Sequence, residues 1–200
     1  MHLNPLLDVR LLRETLVMAL DQTPPACSAF QWRLVGTGAA LLRGVDLPAG
    51  DIDVLVKERE AVDAWAAALA SFECLLAPVW LEHDHQYYAE YRVNGVEVGI
   101  STVETGYHFQ ARETVGIAPW RYYDLLPCGA HFVPTVALEL RLATELVRQR
   151  PDRYEPIVAF MREEGFGREL LDRAIKEAEL PEIVQERTWQ SLQLPSGQTC

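Results

Sequence analysis

Scarcity narrows this 200-residue chain before any motif does. Its 4 cysteines, Cys27, Cys74, Cys128 and Cys200, are scattered, with no Cys-x-x-Cys pair and no zinc-type spacing. A disulfide framework or structural zinc site is therefore not expected, and free thiols in a reducing compartment are the simpler reading. Positive charge is short too: 18 Lys+Arg stand against 29 Asp+Glu, a formal net charge of -11. A field of that sign repels phosphate backbones and argues against broad nucleic-acid binding. It leaves room for a nucleotide held through metal cations, which supply positive charge locally. No apolar run approaches the ~20 residues a membrane span needs. No early segment has the basic flank, apolar centre and small-residue cleavage site of a signal peptide. The expected location is the cytoplasm, with no membrane partner. Internal repeats and low-complexity tracts are absent as well.

What remains is enough for one well-packed core with a small helical appendage, since 49% of the residues are hydrophobic. Apolar positions at helical spacing run from Leu6 to Leu20 and stop at Thr23-Pro24-Pro25. A strand is expected over Phe30–Val35, broken by Gly36-Thr37-Gly38, then a short helix over Ala39–Arg43 ending at Gly44. Asp51–Val56 alternates polar and apolar before turning wholly apolar, which suits a strand with one buried face. A second amphipathic helix follows over Glu58–Phe72. Strand-like pieces come next at Cys74–Trp80, Gln86–Val93 and Val96–Thr102, the last two joined at Asn94-Gly95, a strong hairpin signal. From Pro134 the pattern turns helical: Pro134–Arg148, Pro151–Glu164, Gly167–Ala178 and Pro181–Leu192, each bounded by Pro or Gly. The expected organisation is an α+β part over 1–133, a helical segment over 134–194 and a frayed tail over 195–200. Sequence alone leaves open whether the first two are separate domains.

Three features carry chemistry together. A strand leads through Gly36-Thr37 into a helix; glycine lets backbone approach a phosphate, and the Thr37 hydroxyl adds a hydrogen bond to a phosphate oxygen. Asp51-Ile52-Asp53 places two carboxylates on one side of a strand, roughly 6.6–6.8 Å apart along it. Such a pair repels itself unless cations lie between, and divalent ions about 3.5–4 Å apart serve in-line displacement at phosphorus. Mg²⁺ suits, because it takes few carboxylates and completes its shell with phosphate oxygens and water. The third feature is Glu97 in Val96-Glu97-Val98-Gly99-Ile100, an acid either facing solvent or aimed at a site. Beside the Asp strand it becomes a third carboxylate able to activate an attacking hydroxyl; Glu90 is the competing candidate.

The run from Leu34 through Gly36-Thr37-Gly38 to Gly44, followed by Gly50-Asp51-Ile52-Asp53-Val54-Leu55-Val56, resembles the polymerase-beta-like nucleotidyltransferase superfamily. The likeness is to its small bacterial members, the abortive-infection, toxin–antitoxin and aminoglycoside nucleotidyltransferase types. It implies a mixed, curved sheet with flanking helices and a helical C-terminal segment. It also implies a Mg²⁺-dependent enzyme with a two-metal site, moving a nucleoside monophosphate from a nucleoside triphosphate to a hydroxyl acceptor. On that likeness Gly36 and Thr37 hold the triphosphate; Arg43 is the candidate to supply phosphate-directed charge, with a helix-surface Arg the competing reading. Asp51 and Asp53 bind the metals, and Glu97 is the third carboxylate. Thr37 stands where the family has Gly or Ser, and Leu47 and Ala49 stand where small members often carry Arg and Thr. The acceptor, whether small molecule, protein or RNA, is not encoded legibly. The alternative is a catalytically inactive member that binds nucleotide or a partner protein.

Other signals are weaker. Gly36-x-Gly38 invites a dinucleotide reading, but Leu41 stands where a third Gly or Ala belongs. His83-Asp84-His85 lacks a third ligand, and Trp120, Tyr122 and Tyr123 suit packing better than stacking on a base. Arg141, Arg148, Arg150 and Arg153 make a basic strip that could serve an RNA end.

Overall fold

The computed structural model describes residues 6–23, 30–104 and 113–193. The Pro24-Pro25 breaker, Cys27, Cys200 and the tail over 195–200 lie outside them. The order is α1 (Val9–Asp21), β1 (Trp32–Val35), α2 (Gly36–Leu42), β2 (Ile52–Val56), α3 (Arg59–Ala68), β3 (Glu73–Leu81), β4 (Gln86–Val93) and β5 (Val96–Ser101). Then come α4 (Ala118–Arg121), β6 (Tyr123–Cys128), β7 (His131–Val136), α5 (Leu138–Val147), α6 (Pro151–Glu164), α7 (Arg168–Glu177) and α8 (Glu182–Gln193). The strands form one open seven-stranded sheet, ordered β3-β4-β5-β2-β1-β7-β6. It is mixed: β2 runs parallel to β5 and β1 parallel to β7, while the other neighbours are antiparallel.

Local chemistry explains most boundaries. Asp8 caps α1 by accepting the Leu11 amide at 2.7 Å, which answers one orphan donor of the first turn. The helix then buries Leu12, Leu16, Ala19 and Leu20 along one stripe. Between β4 and β5, Asn94 (φ 53°) and Gly95 (φ 78°) both take positive φ, the signature of the two-residue turn that matches strand twist.

Sheet register sorts the residues into two faces. Thr135, Leu34, Val54, Ile100 and Ala89 lie side by side across β7, β1, β2, β5 and β4, all at or near complete burial. On that face α1, α2 and α3 pack, with Leu12 and Leu34 closing on the Gly38 backbone. One contiguous cluster joins this core to Leu142 on α5, Ile157 on α6, Leu171 on α7 and Leu192 on α8. Each large aliphatic side chain so enclosed contributes ~1.5–3 kcal/mol. The opposite face carries the row Val35, Asp53, Gly99 and Glu90, where chemistry is placed.

Four expectations are corrected. The first strand starts at Trp32 rather than Phe30, and the helix after it opens at Gly36 rather than Ala39, so the glycine turn is the helix's own first turn. Asp51 precedes β2 instead of belonging to it. The helix expected from Pro134 begins at Leu138, because Pro134, Thr135 and Val136 complete β7. Pro134 resembles a helix start, yet its β-branched neighbours Val133, Thr135 and Val136 favour the pleated, half-buried environment beside β1. With β7 goes its partner β6, which the sequence pattern left unmarked. Among the described residues, no helix is long and apolar enough to cross a membrane.

Candidate functional site

Asp53 is placed by β2, and its register partner on β1 is Val35, the residue before Gly36. Gly36 has φ +70°, and a Cβ built on it would overlap the Asp53 carboxylate. Glycine is thus required twice, for its backbone angle and for the space Asp53 occupies. Asp51 stands exposed just ahead of the strand, while Asp53 is half-buried. Burial first, then the charges of Asp51 and Glu113, raise the Asp53 pKa from the usual carboxylate range to about 7; Arg141 and Arg148 oppose the rise. Asp51, Asp53 and Glu113 thus bring three carboxylates near one place, with Arg141 and Arg148 close enough to be felt. Hard carboxylate oxygens in such a field fit a divalent cation of the Mg²⁺ type.

Next to this acidic side lies a cationic one. The Thr37 hydroxyl accepts from Arg141 Nη2 and from Arg153 Nη1, each at 3.1 Å. Arg153 also donates to the Pro48 carbonyl at 2.8 Å, tying α6 to the loop before β2. Arg141 is buried, 4% exposed, and its ion pairs with Glu113 and Glu145 hold its charge in place. Burial pulls the Arg141 pKa down, and the two glutamates outweigh it, so the net direction is up. Glu113, 2% exposed, also accepts the Gly36 amide at 3.2 Å.

Glu97 lies on the same sheet face as Asp53, but the residue directly beside Asp53 on β5 is Gly99. A side chain at Gly99 would meet the Tyr88 hydroxyl at 2.6 Å, and that hydroxyl donates to Glu90 at 3.0 Å. Burial, then Glu90, then Asp53 and Asp51, push the Tyr88 pKa upward, so the phenol stays a donor. Glu97 lies two residues before Gly99 on β5, opposite Arg92 on β4, and pairs with it at 3.3 Å. Among the described residues, no group of three or more His, Cys, Asp or Glu is disposed to hold a metal ion. Asp51 and Asp53 are thus together, with Glu97 one row away.

Arg43 sits at the far end of α2 from Gly36. Its guanidinium donates to the Thr135 and Val136 carbonyls at 2.8–3.1 Å and pairs with Asp124 at 2.8 Å. The charge expected from it at Thr37 comes instead from Arg141 and Arg153, read from sequence as part of a surface strip. Arg148 pairs with Glu145, and Arg150 with Asp152. Glu113 was missed altogether, for it carries no motif. Tyr123 and Trp120 lie over the Arg33 guanidinium, at 3.5 and 5.3 Å from their ring centroids, Trp120 packed against the core and Tyr123 exposed. Leu47 and Ala49 are buried, Ala49 accepting the Leu7 amide at 2.8 Å, so they serve the loop's core contacts.

No protein-family model matches the chain, and no curated protein matches it by sequence. Solved structures do. A candidate nucleotidyltransferase of Thermotoga maritima superimposes with a TM-score of 0.56 at 16% identity, over 81% of this chain and 99% of that one. An antigenic nucleotidyltransferase-like protein of Paracoccidioides brasiliensis gives 0.57 at 13% identity, over 94% of both chains. The chain has the nucleotidyltransferase fold.

Proposed function

We propose that this protein transfers a nucleoside monophosphate from a nucleoside triphosphate to a hydroxyl group on an acceptor. One observation carries the reading: the Asp53 carboxylate packs against Gly36, so an acidic pair and a cationic pocket meet at one turn. Triphosphate oxygens belong on the cationic side, against Thr37, Arg141 and Arg153. Asp51 and Asp53 would hold Mg²⁺, which supplies positive charge to the phosphates and neutralises what develops at the reacting phosphorus. The acceptor oxygen bonds to the α-phosphorus, the α–β bridging bond breaks, and pyrophosphate leaves. Glu97, on the sheet face of Asp53, orients the acceptor hydroxyl and takes its proton. The free thiols Cys74 and Cys128 suit a reducing, cytoplasmic setting.

Calorimetry with Mg²⁺ and each of the four ribonucleoside triphosphates tests the binding half. At least one nucleotide should bind in a Mg²⁺-dependent way, weakened about tenfold or more by Asp53→Ala. Absence of binding, or binding indifferent to that substitution, would overturn the reading.

A further inference from the structure

Buried arginine is ordinarily matched by one carboxylate, and Glu145, one helical turn away, matches Arg141 at 2.6 Å. Yet a second carboxylate, Glu113, is also seated on Arg141, with its other oxygen taking the Gly36 amide at 3.2 Å. Glu145 is itself shared with Arg148 at 3.3 Å, so these two carboxylates and two guanidiniums are matched in number. Glu113 differs from Glu145 in also holding the first amide of α2. What Glu113 does resemble is a ligand. Its two oxygens take one backbone N–H and one guanidinium N–H, the donors a phosphate would use, next to the Thr37 hydroxyl that Arg141 and Arg153 both reach.

We propose that the Glu113 carboxylate is an internal stand-in for a phosphate of a polyphosphate ligand, occupying its place between Gly36 and Arg141 until that ligand displaces it. The inference rests on the nucleotide reading above and deepens it: Glu113 sets affinity, and it keeps Arg141 aligned with Thr37 while no ligand is bound. A polyphosphate that arrives must release Glu113 to solvent, so apparent affinity is lowered by the fraction of molecules in which Glu113 stays seated. Single phosphates, which gain fewer bonds in exchange, are disfavoured against triphosphate.

The test is metal-free titration of inorganic tripolyphosphate into the full chain, by calorimetry and by thermal shift. Glu113→Gln keeps the shape but removes the charge and turns one of the two accepting oxygens into a donor, and should bind tripolyphosphate about tenfold more tightly than the unaltered protein. Adding Arg141→Gln to it should abolish the gain. Should Glu113→Gln fail to fold, Glu113→Asp replaces it: it keeps the charge but is too short to span both donors, and it too should bind more tightly. Equal or weaker binding by a folded Glu113 variant overturns the proposal. Failure of nucleotidyl transfer alongside tighter tripolyphosphate binding would instead sink the enzymatic reading and leave the stand-in intact.

Discussion

Asp53 should destabilise the folded protein above neutral pH, and neutralising it should reveal by how much. Its pKa rises from an ordinary 3.8 to about 7 on folding, through burial and the charges of Asp51 and Glu113. Between those values the folded state binds more protons than the unfolded state, so stability falls as pH rises through that window. Below pH ~3.8 the penalty vanishes; above pH ~7 it is complete, and three pH units at ~1.4 kcal/mol each make it about 4 kcal/mol. Asp53→Asn mimics the protonated acid at every pH. In urea denaturation with matched m-values, the variant should exceed the unaltered protein by about 4 kcal/mol at pH 8 and about 1 kcal/mol at pH 4.5. Millimolar Mg²⁺ at pH 8 should close much of the gap by stabilising the unaltered protein alone. A variant no more stable than its parent at pH 8 would refute the crowded-carboxylate account of this site.

Gly36→Ala tests the close approach of turn and acid. It forces a side chain into positive φ and onto the Asp53 carboxylate, and should cost about 2–3 kcal/mol in urea denaturation while weakening nucleotide binding. Arg141→Ala leaves Glu113 and Glu145 buried without their shared partner, at a cost of about 3–5 kcal/mol by the same measurement. Arg43→Ala removes bonds to β7 carbonyls far from Thr37; it should lower the melting temperature yet leave nucleotide affinity within about twofold by calorimetry.

Features written in adjacent residues were legible in the sequence. The Asn94-Gly95 hairpin needs only its own backbone angles, and the Gly36 and Asp53 signals are short-range: one residue that must lack a side chain, one acid inside an apolar strand. The cationic half was not legible, because tertiary structure assembles it. Arg141 and Arg153 reach Thr37 across 104 and 116 residues, and Glu113 reaches Gly36 across 77. Read along the chain, Arg141 and Arg153 share a strip with Arg148 and Arg150; in space only the first two turn toward Thr37. Arg43 misled through nearness in sequence, since α2 carries it away from the turn toward β7. Likewise Glu97 has the right flanking residues, but register sets Gly99 beside Asp53. Pro134 shows the converse failure, a sound local helix signal overruled by strand pairing with β6.

The central claim is transfer, and it is tested most directly by incubating the protein with Mg²⁺ and α-labelled ribonucleoside triphosphates. The acceptor panel comprises aminoglycosides, tRNA and proteins, with Asp53→Asn run in parallel. The account predicts a labelled acceptor and released pyrophosphate with at least one pairing, reduced about 100-fold or more in the folded variant. Label that stays in free nucleotide with every acceptor, or transfer undiminished by Asp53→Asn, would contradict it.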